Sequence, residues 1–362
     1  MWPDRRLLDL LRLEVPIVQA PMAGSSGADL AVAVSAAGGL GSLPCAMLDT
    51  QQVRAAVTRI RARTDKPINL NFFCHVPPKS DAAREDTWRE RLAPYYAELG
   101  LDPAAPIRSA NRMPFDSGFA DAVAELRPAV ASFHYGLPAP ALLDRVRAAG
   151  CRVFSSATTV AEARWLEEHG ADVVIAQGQE AGGHRGMFLT GNLAAQVGTL
   201  ALVPQIVDAV KIPVIAAGGI ADARGIAAAF ALGAAGVQIG TGYLQCPEAE
   251  TLAAHRAALA SARDDATAFT NVYTGRPARA FVNRLVREQG PLAGGIPEFP
   301  LAAGAVAPLR KAAEARGSAD FTPMWAGQAA GLGRALAAGE LTRKLAAEAL
   351  DRLAALGRAG AG

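Results

Sequence analysis

Val214-Ile215-Ala216-Ala217-Gly218-Gly219-Ile220-Ala221-Asp222-Ala223-Arg224-Gly225-Ile226-Ala227-Ala228-Ala229-Phe230-Ala231-Leu232-Gly233-Ala234-Ala235-Gly236-Val237-Gln238-Ile239-Gly240-Thr241-Gly242 reads as one strand, helix and strand. Val214–Ala217 is a short β-rich run that stops at a double glycine. Asp222 is placed to cap a helix over Ala223–Ala231, and Gly233 follows it where a positive φ is wanted. Gly236–Ile239 is the next strand and ends on a second glycine turn. Two strands joined by one helix in this way imply parallel pairing.

The same unit repeats upstream. Val15–Ala20, Leu40–Leu43, Ile68–Phe72, Ala129–Phe133, Arg152–Ser155 and Val173–Ala176 read as further strands. The helices alternating with them fall near Asp29–Ala37, Thr50–Arg63, Phe119–Glu125, Ala139–Ala148, Val160–His169 and Leu200–Val210. A last helix follows near Glu248–Ser261. About eight βα units predict a (β/α)₈ TIM barrel rather than an open sheet. Two segments depart from the alternation. His75–Ser117, after strand three, is too long for an ordinary loop, carries an amphipathic piece at Trp88–Leu99, and reads as a lid or accessory segment. Beyond Ser261 a Gly/Pro-rich stretch, Gly290–Pro300, precedes helices near Pro308–Ala315 and Glu340–Leu356. The predicted organisation is therefore a barrel over 1–261, with an insertion at about 75–117, and a mostly helical C-terminal extension over 262–362.

Composition narrows the function. The chain has 362 residues, 51% hydrophobic and 19% charged, enough for a large core. A net charge of +2 without blocks of like charge argues against nucleic acid. Leu30–Leu48 and Ile226–Pro247 are uncharged and about as long as a membrane span. Gly38, Gly39, Gly41 and Pro44 break the first and Gly233, Gly236, Gly240 and Gly242 the second, so both are expected to be barrel elements. Met1–Arg12 lacks the apolar stretch of a secretory signal. The four cysteines, Cys45, Cys74, Cys151 and Cys246, are scattered without metal-ligand spacing. A cytoplasmic protein with reduced thiols and no metal is expected, without a membrane partner and either monomeric or homodimeric.

In such a barrel the chemistry lies at the C-terminal ends of the strands, with phosphate bound after the last two. Ala217-Gly218-Gly219 and Gln238-Ile239-Gly240-Thr241 bring two glycine turns to that corner, where bare backbone N–H groups can approach a phosphate. The alternative is that these glycines only make tight turns. The sixth strand leads into Gln177-Gly178-Gln179-Glu180-Ala181-Gly182-Gly183-His184-Arg185-Gly186, which places His184 for proton transfer. His134, in Ser132-Phe133-His134-Tyr135-Gly136, ends strand four and offers a second imidazole or a merely structural one. His75, His169 and His255 read as solvated or structural. Nucleotide-binding, zinc-protease and serine-hydrolase signatures are absent. An organic phosphate-bearing cofactor is left, most economically FMN, with its ring over Pro21, Met22 and Ala23.

These segments, together with Gln19-Ala20-Pro21-Met22-Ala23-Gly24, Asn69-Leu70-Asn71-Phe72-Phe73, Ala217-Gly218-Gly219-Ile220 and Trp325-Ala326-Gly327-Gln328, resemble the nitronate monooxygenases, formerly called 2-nitropropane dioxygenases. The resemblance runs in order across most of the chain and implies an FMN-dependent barrel that oxidises alkyl nitronates, and nitroalkanes with them, using O2 to give carbonyl compounds and nitrite. It implies that Met22, Asn69, Gln177, Gly182, Gly218, Gly219, Gln238, Gly240 and Thr241 line FMN, with Gly183 letting backbone pass close by. His184 matches the family's catalytic histidine and His134 a neighbour lining the space of a small anionic substrate.

One stretch departs from the pattern. Between Pro297 and Arg310, where relatives supply tyrosines and a lysine, this chain has Phe299, Ala303 and Ala307, which implies a more apolar pocket and a different or bulkier substrate. Two other readings fit the same scaffold: an NAD(P)H-dependent FMN reductase of enoyl-thioester or quinone type, and a non-catalytic flavin or small-ligand binding protein.

Overall fold

The computed structural model describes residues 1–106 and 112–359. Eight parallel strands form the barrel: β1 (Ile17–Gln19), β2 (Gly41–Pro44), β3 (Ile68–Phe73), β4 (Val130–His134), β5 (Arg152–Ala157), β6 (Val173–Gln177), β8 (Val214–Ala217) and β9 (Gly236–Ile239). The short β7 (Gly183–His184) stands outside the barrel sheet. β9 pairs with β1 in parallel, and bonds from Leu40 N to Ile17 O and from Gln19 N to Leu40 O, both 2.9 Å, tie β1 to the chain entering β2. The sheet thereby closes on itself, as the βα repeat predicted.

Local signals account for the helices. Asp49 and Gln52 form a reciprocal capping box at Thr50–Arg61, and Asp222 accepts from Arg224 N and Gly225 N at the start of Ala223–Ala231. The first uncharged run is the helix Ala28–Ala36 followed by β2. A Cβ on Gly41 would lie 2.0 Å from the Ala31 carbonyl oxygen, so glycine is what lets this helix lie against its strand. Among the described residues no helix is long and apolar enough to cross a membrane. The helix expected over Glu248–Ser261 is confined to Ala253–Ala260. Glu248 instead turns its carboxylate to Ala338 N, at 3.1 and 3.0 Å, at the start of the final helix, Ala338–Ala359.

In the insertion a helix spans Ala82–Glu98, begun by Asp81. It is fastened to the helix Ala302–Ala315: Trp88 Nε1 donates to Ala302 O at 3.3 Å and Tyr96 Oη to Ala305 O at 2.6 Å. Residues 107–111 of the insertion lie outside the described residues. Beyond the barrel the sequence showed helices but not β10 (Thr267–Thr270) and β11 (Ala278–Phe281), which pair antiparallel. β11 also pairs with β7. These strands have little periodicity to betray them, and β7 consists of one glycine and one histidine.

Candidate active site

Fourteen of the residues singled out from the sequence converge on one cavity at the C-terminal mouth of the barrel: Pro21, Met22, Ala23, His134, Gln177, Gly182, Gly183, His184, Ala217, Gly218, Gly219, Gln238, Gly240 and Thr241. Asn69 does not. It points into the barrel below the mouth, where its Nδ2 donates to Ser42 Oγ at 2.9 Å. Asn71, two residues along β3 and therefore on the same face one layer higher, lines the cavity instead. Nothing in Asn69-Leu70-Asn71 alone says which asparagine reaches the top.

The glycine corner is shaped by backbone. Gly218 and Gly219 have φ of 112° and 70°, values that disfavour any side chain. A Cβ on Gly182 would meet Gly327 N at 2.5 Å, which brings the tail's Gly327 against the loop after β6. Gly327 N in turn donates to Thr241 Oγ1 at 3.0 Å. Below them Glu180 accepts from Thr199 N and Oγ1 at 2.8 Å, holding the turn after β6 to the next helix.

His184 is held by three groups. Its carbonyl oxygen accepts from Gln177 Nε2 at 3.0 Å and lies 3.2 Å from His134 Nε2, while its own Nε2 lies 2.9 Å from Thr274 Oγ1. Gln177 closes the loop from the other side by accepting from Gly186 N at 2.8 Å. Arg185 points away from the cavity: fully buried, it donates to Gln177 O, Gly178 O and Gln196 Oε1 at 2.6 to 2.8 Å and serves the loop's backbone.

Burial keeps the site's imidazoles neutral. Desolvation, reinforced by the charge of Arg276, pushes His134 down to about 3. His184 is pushed well below its ordinary range by burial, then by Arg112, His134 and Arg276. His75, expected to be solvated or structural, is buried beside the mouth and is pushed down to about 4 by burial, Arg276 and Arg112. The reading of His75 as solvated is corrected; Phe299, whose ring lies 4.9 Å from it, covers it.

The expectation of an apolar pocket holds for one wall only. Phe299 packs 5.3 Å from His184 and joins Phe73 and Trp325 around it. Ala307 is exposed and takes no part. Two cations adjoin them: Arg112, which lines the cavity and lies over the Phe299 ring at 5.8 Å, and Arg276, which lies over the Tyr135 ring at 3.8 Å and donates to the Met187 carbonyl oxygen. Among the described residues neither guanidinium has a carboxylate within 4 Å, and Arg112 Nη1 is buried without a partner. The sequence reading missed both arginines: Arg112 sits in the irregular insertion and Arg276 in the connection between two unrecognised strands.

Residues 4–348 match the nitronate monooxygenase family. This chain belongs to that family. A nitronate monooxygenase of Pseudomonas aeruginosa is 45% identical over 347 residues, covering 95% of this chain and 98% of that protein. The crystal structure of a nitroalkane oxidase from Streptomyces ansochromogenes superposes with a TM-score of 0.88 at 38% identity, covering 97% of this chain and 99% of that one. FabK from Thermotoga maritima is more distant, with a TM-score of 0.72 at 27% identity over 97% of each chain. Membership in the nitronate monooxygenase family makes this chain an oxidoreductase and bears out the resemblance drawn from its motifs.

Proposed function

We propose that this chain is an FMN-dependent nitronate monooxygenase, oxidising alkyl nitronates and nitroalkanes with O2 to carbonyl compounds and nitrite. The carrying observation is a neutral, cavity-facing His184 beside two guanidinium groups that have no acid partner among the described residues, a setting that attracts an anion and can accept a proton.

The residues suit FMN. Gly218, Gly219, Gly240 and Thr241 would hold its phosphate with backbone and hydroxyl donors. Gln238 lines the cavity and keeps a buried Oε1 without a partner among the described residues, an acceptor for a ring N–H. A Cβ on Gly183 would meet nothing within 4 Å, so its space is open to a ligand, and Pro21, Met22 and Ala23 line the same cavity. FMN, when bound, supplies one-electron chemistry and the encounter with O2.

The chain's own contribution is binding and proton handling. Arg112, which lines the cavity, and the charge of Arg276 on Tyr135 draw the anion in, Phe73, Phe299 and Trp325 around His184 keep water from it, and His184 stands where a nitro-bearing carbon can give up its proton. His134 keeps the loop carrying His184 in place through its carbonyl. The test mixes the purified protein anaerobically with propionate 3-nitronate, and separately with NADH and NADPH, while the flavin spectrum is followed. Bleaching by nitronate is expected; bleaching by a nicotinamide alone would turn the assignment to an enoyl-thioester or quinone reductase.

A further inference from the structure

We infer that Thr274 is the positioning residue that fixes the proton of neutral His184 on Nε2 and so leaves Nδ1 as the nitrogen that takes a proton from substrate. The inference rests on the reading of His184 as the base of the proposed reaction.

Thr274 lies in the connection between β10 and β11, buried, with its Oγ1 2.9 Å from His184 Nε2 and 3.4 Å from the carbonyl oxygen of Arg276. A hydroxyl has one proton to give. Given to the Arg276 carbonyl, which can only accept, it leaves the threonine oxygen as acceptor and requires His184 to donate from Nε2. Neutral imidazole carries one proton, so Nδ1 keeps its lone pair. Among the described residues no protein group hydrogen-bonds Nδ1, and His184 lines the cavity.

The loop that carries Thr274 has no room to drift. Its backbone N–H bonds Asn271 O at 3.3 Å, and Gly275, at φ 87°, is packed so that a Cβ there would lie 2.1 Å from Pro297 O. The pairing of His184 with Ala278 in β11 fixes the other partner. The charged and titratable groups facing the imidazole are Arg112, Arg276, His134 and His75, all of which oppose its protonation. A proton taken up at Nδ1 during turnover therefore makes an unfavourable cation, and the Nε2–H bond to Thr274 strengthens when that cation forms. In the step itself the C–H bond breaks, the proton passes to Nδ1, and the bonding pair moves into the nitro group, which becomes the nitronate.

The test reads the tautomer directly in the full-length protein as purified, by long-range ¹H–¹⁵N correlation on ¹⁵N-histidine-labelled samples, with His184 assigned from a His184→Gln spectrum. The wild type is expected to show protonated Nε2 and bare Nδ1, Thr274→Ser to keep that pattern, and Thr274→Val to lose it. In turnover, Thr274→Val is expected to lose about 10- to 100-fold in kcat on a neutral nitroalkane, Thr274→Ser to recover most of it, and a preformed nitronate to be affected less than about 3-fold. A wild type protonated on Nδ1, a Thr274→Val spectrum unchanged from wild type, or equal losses on both substrates would overturn the inference. The spectra need no substrate, so they decide the role of Thr274 even if the nitronate assignment fails.

Discussion

His134 Nε2 lies 3.2 Å from the carbonyl oxygen of His184, so the side chain of one histidine holds the backbone of the other. A carbonyl cannot donate; neutral His134 must therefore carry its proton on Nε2 and accept at Nδ1, where Ser156 Oγ stands 2.6 Å away and donates. The bond joins the end of β4 to β7, a two-residue strand held otherwise by β11 and Gln177. His134 is in this respect a support for His184 as well as part of the cavity wall.

Removing the His184 imidazole separates its two possible duties. His184→Ala is expected to keep the proposed flavin, since among the described residues the ring makes no hydrogen bond to the glycines or Thr241 of the corner proposed for it, and to lose about 10²- to 10⁴-fold in kcat/KM on a neutral nitroalkane. Turnover of preformed nitronate, which needs no deprotonation, is expected to fall far less. Steady-state kinetics on both forms check this, and equal losses would remove the general-base role.

Ser156 is expected to matter for stability through His134. In Ser156→Ala the buried Nδ1 of His134 loses its only donor among the described residues, a cost of about 1–3 kcal/mol. Urea unfolding reads it directly. A change under about 0.5 kcal/mol would mean that water or a shifted ring replaces the hydroxyl.

What could be read in advance followed from periodicity and punctuation. The unit Val214–Gly242 shows its strand, cap, helix and glycine turns in residue types alone, and the structure places β8, the helix Ala223–Ala231 and β9 at the residues expected. The glycine corner and both histidines at strand ends were legible for the same reason. Arg276 and Thr274 were not, because they lie in a connection between strands with no repeating pattern, and they approach His184 only through the pairing of β11 with β7. Asn69 and Asn71 illustrate a finer limit: alternation puts both on the inner face, and only the height of the barrel mouth along β3 separates them.

Gly182→Ala is expected to disturb the corner proposed for the cofactor more than the fold. Its new Cβ would overlap backbone atoms of Ala326 and Gly327, so the tail segment must move, and with it the bond from Gly327 N to Thr241 Oγ1. A lower flavin-to-protein ratio after purification is expected, with a stability loss of about 1–3 kcal/mol. Gly100→Ala is the control: its φ of 68° makes alanine strained, by about 1 kcal/mol, but its Cβ would meet nothing, and flavin content should be unchanged. Equal flavin content in both variants would detach Gly182 from cofactor binding.

Acid should weaken the protein through its buried imidazoles. His134 has an ordinary value of 6.5 and is pushed down to about 3 in the folded chain. Below about pH 6.5 the unfolded chain binds a proton that the folded one refuses, so stability falls as the pH drops towards the folded value. One such group contributes about 1.4 kcal/mol per pH unit in that window. His75 and His255, both pushed down to about 4, act in the same direction. In His134→Gln the unfolding free energy should fall with acid less steeply by about that one increment. Parallel wild-type and variant curves from urea titrations across the window would show that His134 does not resist protonation.

Arg112 is expected to govern both affinity and the proton affinity of His184. It lines the cavity, its Nη1 has no partner among the described residues, and its charge is the strongest influence after burial in lowering His184. Arg112→Met removes the guanidinium that lies over the Phe299 ring and leaves an unbranched apolar side chain in its place. Two shifts should follow together. KM for an anionic nitronate should rise by about 10-fold, the scale of one lost charge-assisted contact. The His184 pKa should move up, because a cation no longer opposes its protonation; since the base form is the active one, the acid limb of kcat/KM for a neutral nitroalkane should move to higher pH. A rise in KM with an unmoved acid limb would place Arg112 at the entrance, too far from the imidazole to be felt. An acid limb that moves to lower pH would contradict the sign of the interaction itself.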